Sequence, residues 1–203
     1  YSAGTALVAA AARASGATVY QLDALKRDPA AIRTALVDQA IRADAMVVLA
    51  QDEADAHLLA EVLKAQGEAD LAHVTFAHGH ALPVGRLGDE RLPVVVLPAT
   101  PLAACAGFHL FVAPLLERLG AREAASPARV EARLATGLAA SVNTRYLPGR
   151  LDGDRVEVRA SEFELAYDLV RADVLVEVPA GEPLDAGATV SCLPLRGPAP
   201  TPR

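Results

Sequence analysis

The residues best suited to chemistry lie in three short stretches of the chain, and the first is "QDEADAH" (51–57). It carries Asp52, Glu53, Asp55 and His57 around the start of a predicted helix. Carboxylates suit the positive end of a helix dipole, but they repel a phosphate. The pattern therefore favours an acidic, solvated helix start over an anion site or a metal site.

The second stretch is "FAHGHAL" (76–82), in which His78 and His80 alternate and so point to the same side of an extended chain. Neutral imidazoles bind transition metals, and protonated imidazoles bind oxyanions. A zinc-type site needs further ligands, which His57 or Asp55 supply only if the two loops converge. A metal hydrolase built on these histidines is an alternative hypothesis. We favour solvent-facing or hydrogen-bonded histidines and predict no metal site.

The third stretch is "LPATP" (97–101), which follows a continuous apolar run and precedes a helical pattern. Pro98 ends the strand because it has no amide hydrogen for a strand ladder. Pro101 suits the first turn of a helix, where no amide hydrogen is needed. Thr100 has the only side-chain hydroxyl of the turn, and we predict that it caps the helix. The stretch is thus predicted to be a strand-turn-helix joint.

Composition excludes some classes of partner. The chain has 203 residues, enough for one large domain or two small ones. It has no Trp, 4% aromatic residues and a formal net charge of −6, which argues against a base-stacking or phosphate-binding nucleic-acid surface. We predict no nucleic-acid partner, while a small anionic ligand stays compatible with the charge.

Cysteine content and hydropathy indicate the compartment. Cys105 and Cys192 belong to no Cys-x-x-Cys pair, so we interpret them as buried apolar residues in a reducing cytoplasm. The apolar run 101–116 is too short to cross a membrane, and we predict no membrane partner.

Residues 2–120 alternate between helical and strand patterns, which predicts a three-layer α/β/α domain with a mostly parallel sheet. Asp28 and Pro29 form a strong helix start, and Gly88-Asp89 indicates a hairpin turn. The predicted helices are 2–15, 28–43, 54–66 and 101–119. The predicted strands are 17–22, 45–50 and 71–77, and 83–98 is a predicted hairpin.

A polar stretch at 120–130 is predicted to be a linker, and mostly strand patterns follow it. The predicted strands and one helix are 130–136, 146–159, 163–172 (helix), 174–179 and 189–194. These patterns predict a small β-barrel or sandwich. We place the domains at 1–122 and 123–195, with a disordered tail at 196–203.

Longer phrases resemble the molybdopterin molybdenumtransferase family, of the MoeA and gephyrin type. The phrase "RLGDERLPVVVLPATPLAACAGFHLFVAPLLERLG" is similar to a family turn and helix, and "LVRADVLVEVPAGEPLDAGATVSCLPL" to its C-terminal barrel. The resemblance covers the family's third and fourth domains. It implies that the first strand of the α/β domain and two further domains lie upstream of Tyr1.

The resemblance also implies cofactor-binding positions and ligands. By position in the family's three loops, the equivalents are Asp52, Asp55, His57, Gly79, His80 and Thr100. The implied ligands are molybdopterin or its adenylylated form, with molybdate and magnesium. The implied assembly is a homodimer or a complex with a paralogue.

This chain departs from the family in all three loops. It lacks a glycine-rich loop at 49–57, has Ala77 and His80 in place of two lysines, and has Ala99 in place of a glycine. Arg145 and Arg150 remain in the barrel, facing either an anion or solvent. Two hypotheses follow: an active molybdenumtransferase, or a divergent relative that binds a pterin, pairs with an active paralogue or regulates. The lost loop residues favour impaired catalysis, and we assign no catalytic residue.

Overall fold

The computed structural model describes residues 2–66, 72–76, 80–120, 129–159 and 166–195. Side chains of 72–76, 80–82 and 166 are not among the described parts. The predicted linker at 121–128 and the predicted disordered tail at 196–203 lie outside the described residues.

The N-terminal part alternates helices and strands, close to the predicted boundaries. Its elements are α1 (Ala3–Ala14), α2 (Pro29–Ala40), β1 (Met46–Ala50), α3 (Glu53–Ala65), β2 (Ala72–Phe76), β3 (His80–Leu87), β4 (Leu92–Pro98), α4 (Pro101–Gly107), a π-helical turn (Phe108–Val112) and α5 (Ala113–Leu119). Asp28 accepts a hydrogen bond from the Ala31 amide at 2.9 Å, so the predicted cap of α2 is confirmed.

The sheet has the order β1-β4-β3-β2, and β4 is its buried centre. Val95 and Leu97 pack on one face with α1 and α4, and Val94 and Val96 pack on the other face with α2 and α3. A strand buried on both faces has a continuous apolar sequence rather than an alternating one, as "PVVVL" has here. The three-layer arrangement of the whole domain stays a prediction.

Two details of this sheet differ from the predictions. The described strand pairs are mixed: β1 and β4 are parallel, whereas β3 is antiparallel to both β4 and β2. The mostly parallel prediction was wrong because only three residues separate β2 from β3, too few for the crossover that a parallel pair needs. The predicted strand 17–22 is also absent, since it pairs with no described strand.

The predicted helix 101–119 forms, but with a π-helical turn in its middle. Pro114 has no amide hydrogen for the preceding turn, and the wider turn lies directly before it. By length and composition the helix from Pro101 to Leu119 is long and apolar enough to cross a membrane. Its residues from Leu102 to Phe108 are buried in the core beside β4.

The C-terminal part is a closed barrel with the order β5-β7-β6-β8-β9, so the predicted barrel is confirmed. Its elements are β5 (Val130–Leu134), β6 (Arg145–Asp152), β7 (Arg155–Val158), α6 (Ala166–Arg171), β8 (Val174–Val178) and β9 (Thr189–Pro194). A Cβ atom at Gly149 would lie 2.7 Å from Val156 Cγ2, so the barrel interior requires a glycine there.

The barrel and the α/β part share apolar core. Tyr146, Leu175 and Leu193 of the barrel belong to the same buried cluster as Leu102 and Phe108. Both cysteines are free and buried, and burial raises the pKa of Cys105 to about 12 and of Cys192 to about 11. Thiols with such pKa values are protonated at neutral pH, which agrees with their interpretation as apolar core residues.

Candidate functional site

The candidate site lies at the carboxyl edge of β1 and β4. Because the two strands are parallel and Ala50 pairs with Pro98, the chain leaves both strands at one edge of the sheet. The Ala99 amide donates a hydrogen bond to the Ala50 carbonyl at 2.8 Å, which ties the two loops together. Two of the three predicted stretches therefore meet, as open α/β sheets favour for ligand sites.

The first stretch begins α3 with a pair of interlocked aspartates. Asp52 is the N-cap, and its Oδ1 accepts from the Asp55 amide at 2.9 Å. The Oδ2 of Asp55 accepts from the Gln51 amide at 3.0 Å. The two carboxylates thus satisfy amides at the helix start that have no partner within the helix.

The remaining oxygen of each aspartate contacts Arg27. The guanidinium pairs with Asp52 Oδ2 through Nη2 and with Asp55 Oδ1 through Nε. Each of the four carboxylate oxygens therefore has a partner within this chain. A charged, planar guanidinium bridging two carboxylates neutralises the acidic helix start that the sequence predicts.

The electrostatics follow from these contacts. The pKa of Asp52 lies below its ordinary value because the Asp55 amide donates to its carboxylate and because Arg27 lies beside it. The hydrogen bonds to Asp52 and Asp55 raise the pKa of Arg27. Both aspartates are thus accounted for by helix capping and ion pairing.

Arg27 is the residue of this site that the sequence analysis missed. It lies 25 residues before Asp52 along the chain, and no sequence spacing links a basic residue to a carboxylate at that separation. The nearest signal is its position directly before the Asp28-Pro29 helix start, which predicts a helix but no partner. Only the packing of the chain beside β1 brings the two together.

His57 does not join the aspartates. Its side chain is 72% exposed, and its Nε2 lies 3.9 Å from the Glu53 carboxylate one turn earlier on α3. Among the described residues no group of three or more histidine, cysteine, aspartate or glutamate side chains is placed to hold a metal ion. His78 and Gly79 lie outside the described residues, so the proposed role of His78 stays untested.

His80 is described by its backbone alone, as the first residue of β3. It pairs with Phe76, and Val84 farther along β3 pairs with Val95. Counting four residues back from Val84 and four forward from Val95 places His80 level with Ala99. The chain therefore enters β3 at the same edge of the sheet as the other two loops.

The described contacts of the turn between β4 and α4 are structural: they end the strand and begin the helix. Pro98 ends β4 and Pro101 begins α4, as predicted. Thr100 is exposed and occupies the N-cap position, but its side chain makes no capping hydrogen bond, so the predicted cap was wrong. Its backbone carbonyl accepts from Ala104 instead, at 2.9 Å.

The N-terminal turn of α1 fills the space beside this turn. A Cβ atom at Gly4 would lie 2.3 Å from the Ala99 carbonyl oxygen, which is too close for any other residue type. Ala99 itself is 7% exposed. The backbone at Ala99 is thus covered by protein rather than open to a ligand.

Arg145 and Arg150 lie in β6 of the barrel, and neither is brought to this edge by a described contact. Arg145 donates to the Ala139 carbonyl at 3.1 Å, while its buried Nε has no partner among the described residues. Arg150 is exposed and pairs in the ladder with Glu157. These contacts hold strands and loops of the barrel.

Comparison with known proteins finds similarity to molybdenum-cofactor biosynthesis proteins. The chain is 29% identical over 196 residues to molybdopterin molybdenumtransferase 1 of two Mycobacterium tuberculosis strains, covering 89% of this chain and 45% of the relative. It thus spans about half the length of the curated relatives it matches. No family model matches the sequence.

Solved structures share the fold. The MoeA molybdopterin biosynthesis protein of Pyrococcus horikoshii matches with a TM-score of 0.82 and 24% identity, over 97% of this chain and 49% of that one. A molybdenum cofactor biosynthesis protein of Pyrococcus furiosus matches with a TM-score of 0.72 and 18% identity, over 95% and 64%. The similarity runs through both parts of the chain.

Proposed function

Because the chain is MoeA-like in sequence and fold over the part of its relatives that it spans, we propose that it is a divergent molybdenum-cofactor biosynthesis protein that has lost molybdate-insertion chemistry. The ligand class that the resemblance implies is a small anionic pterin, molybdopterin or its adenylylated form, and in this proposal the chain binds neither molybdate nor the adenylylated form with useful affinity. Its location in this proposal is the cytoplasm.

The observation that carries the proposal is the contact of Arg27 with Asp52 and Asp55. Transfer of a phosphate or an oxyanion needs donors or cations directed at the developing charge. At this edge the two carboxylates are bound by Arg27 and by helix amides, and the Ala99 turn is covered by Gly4. The described residues of the edge offer no free cation toward an incoming anion.

Isothermal titration calorimetry tests the proposal directly. Molybdate and adenylylated molybdopterin are titrated separately into the chain, with Mg²⁺ present, and the M. tuberculosis relative serves as the positive control. We expect heat from the relative and none from this chain. Tight binding of either ligand by this chain would contradict the loss of chemistry.

The proposed role in the cell is to pair with an active paralogue or with a second copy, and so to regulate or support the pathway. This partner follows from the resemblance. Sedimentation of the chain alone and mixed with an active molybdenumtransferase measures it. A chain that sediments as a monomer in both experiments would exclude this role.

A further inference from the structure

One sequence feature of the barrel takes no part in the site described above. Asp152 is followed by Gly153, and no other aspartate or asparagine of the chain precedes a glycine. The pair lies in the hairpin that joins β6 to β7, where Asp152 pairs with Arg155, and Gly153 and Asp154 form the turn. Because glycine has no Cβ atom, its nitrogen approaches the preceding side chain without hindrance.

The hairpin leaves the glycine nitrogen accessible. Asp152 and Gly153 are both exposed. Gly153 has a φ of 61°, and a Cβ atom placed on it would meet nothing within 4 Å. Its amide donates to no described backbone carbonyl. No described contact therefore holds this amide away from the Asp152 side chain.

The carboxylate of Asp152 has no ion-pair or hydrogen-bond partner among the described residues. Other aspartates differ in this respect: Asp28 accepts from the Ala31 amide, and Asp173 accepts from the Leu151 amide. Such hydrogen bonds fix the orientation of a carboxylate. The Asp152 carboxylate, without them, rotates toward the amide that follows it.

From these observations we propose that Asp152-Gly153 is a site of isoaspartate formation. The Gly153 nitrogen attacks the carboxyl carbon of Asp152, and the amide hydrogen leaves with the carboxyl hydroxyl group as water, which closes a succinimide ring. Water then adds to either ring carbonyl. Opening at the side-chain carbonyl restores aspartate, and opening at the main-chain carbonyl yields isoaspartate, whose backbone passes through the side chain. One water leaves and one returns, so the composition of the chain is unchanged.

The modification lengthens the backbone beside the shortest strand pairing of the barrel. β5 and β7 pair at only two positions, Arg133 with Arg155 and Leu134 with Val156. Across this seam between β5 and β7, the Arg133 amide donates to the Asp154 carbonyl at 2.8 Å. An extra backbone carbon next to the turn displaces that carbonyl and loosens the seam. The site is independent of the proposed function, since it lies in the barrel and not at the edge of the sheet.

Incubation of the folded chain at neutral pH and physiological temperature tests the site. The probe is an isoaspartyl methyltransferase with radiolabelled S-adenosylmethionine, which methylates the free α-carboxylate of isoaspartate. Peptide mapping then locates the label, and we expect it in the peptide that contains Asp152. Absence of label there, label spread over other peptides, or label that forms only in the urea-unfolded chain would overturn the proposal.

Two conservative variants complete the labelling test. Asp152→Glu keeps the charge but moves the carboxyl group one carbon farther from the backbone, which disfavours ring closure, so the label should be lost. Asp89→Glu is the matched control, because Asp89 is an exposed turn residue that follows a glycine instead of preceding one. This control should leave the label intact. Label that survives in Asp152→Glu would contradict the assignment.

Hydrogen exchange measures the consequence for the barrel. The amides of Arg133 and Ala135 donate across the seam to the carbonyls of Asp154 and Val156. Both amides should lose protection in the isoaspartate-containing fraction, whereas the amide of Val176 in β8, away from the seam, should keep it. Equal protection of the seam amides in the modified and unmodified chains would exclude the loosening.

Discussion

The contact of Arg27 with two aspartates shows how one side chain neutralises the charge at the carboxyl edge of β1 and β4. Asp52 and Asp55 carry charges that suit either a cation or a helix start, and the sequence pattern allows both. The guanidinium and the amides of Gln51 and Asp55 occupy all four carboxylate oxygens. These contacts therefore predict how the pKa of Asp52 depends on Arg27.

Replacing Arg27 should raise the pKa of Asp52. In Arg27→Gln the carboxylate loses its cation but keeps the Asp55 amide, the larger cause of the lowered pKa. We expect the pKa of Asp52 in the variant to lie above that of the unmodified chain and still below the ordinary value. Carboxyl NMR titration measures this, with the exposed Arg33→Gln as control; an unchanged pKa would contradict the ion pair.

The sign of the pH effect follows from the same contact. A carboxylate whose folded pKa is lowered stabilises the fold above its unfolded pKa, about 3.9 for aspartate. That contribution is lost as the pH falls through the lower, folded pKa. The free energy of unfolding should therefore fall less on acidification in Arg27→Gln than in the unmodified chain. Urea unfolding at several pH values measures this.

Gly4 gives a second prediction at the scale of a residue. Gly4→Ala places a Cβ atom 2.3 Å from the Ala99 carbonyl oxygen, and a backbone atom tied to β1 has little room to move. We expect destabilisation of about 1–3 kcal/mol, in the range of overpacked cores. Gly120→Ala is the matched control, because its nearest contact is 3.4 Å. Equal stabilities by urea unfolding would exclude the close contact.

At the scale of elements, α2 and α4 both begin with a capping-type residue followed by proline. The cap is made in α2 by Asp28 and is not made in α4 by Thr100. The two starts share a capping-type residue before proline, but the capping residue is an aspartate in α2 and a threonine in α4. The Thr100 backbone is held by the β4 turn, which leaves its side chain in solvent.

This difference predicts unequal effects of two similar substitutions. Asp28→Ala should lower the free energy of unfolding by about 1 kcal/mol, the usual cost of a lost N-cap. Thr100→Ala should change it by less than about 0.5 kcal/mol, as for an exposed surface residue. Urea unfolding followed by circular dichroism measures both. A larger effect at Thr100 would show that its hydroxyl does bind at the helix start.

At the scale of the whole molecule, the barrel and the α/β part share a buried cluster rather than a polar boundary. Leu175 of β8 is fully buried and packs in the cluster that contains Phe108 of the long helix. Two parts that share a core lose stability together when that core is disturbed. The predicted domain boundary at 122–123 is therefore compatible with one cooperative unit.

Leu175→Ala tests this cooperativity. We expect a loss of about 2–5 kcal/mol, as for a large-to-small change in a core. Helix signal in the far ultraviolet and tyrosine signal in the near ultraviolet should shift together. Leu134→Ala, in the separate barrel cluster, is the control for position. Two separate transitions in either variant would show that the parts unfold independently.

The sequence by itself determined the elements and most of their boundaries. Local signals did this: Asp28-Pro29 begins a helix, Gly88-Asp89 forms a hairpin turn, and "PVVVL" is typical of a strand buried on both faces. These signals act within a few residues, so they are legible without tertiary contacts. The similarity to the molybdenumtransferases was also legible, because it lies in whole phrases.

Tertiary structure alone decided the partners of the side chains. It brought Arg27 to Asp52, left Thr100 without a capping bond, paired β2 antiparallel with β3 and left residues 17–22 without a ladder. Each of these outcomes depends on segments that are distant in sequence and adjacent in space. A strand pattern or a capping residue specifies what a segment can form. Whether the segment forms it depends on whether the fold brings a second strand or a hydrogen-bonding group within reach.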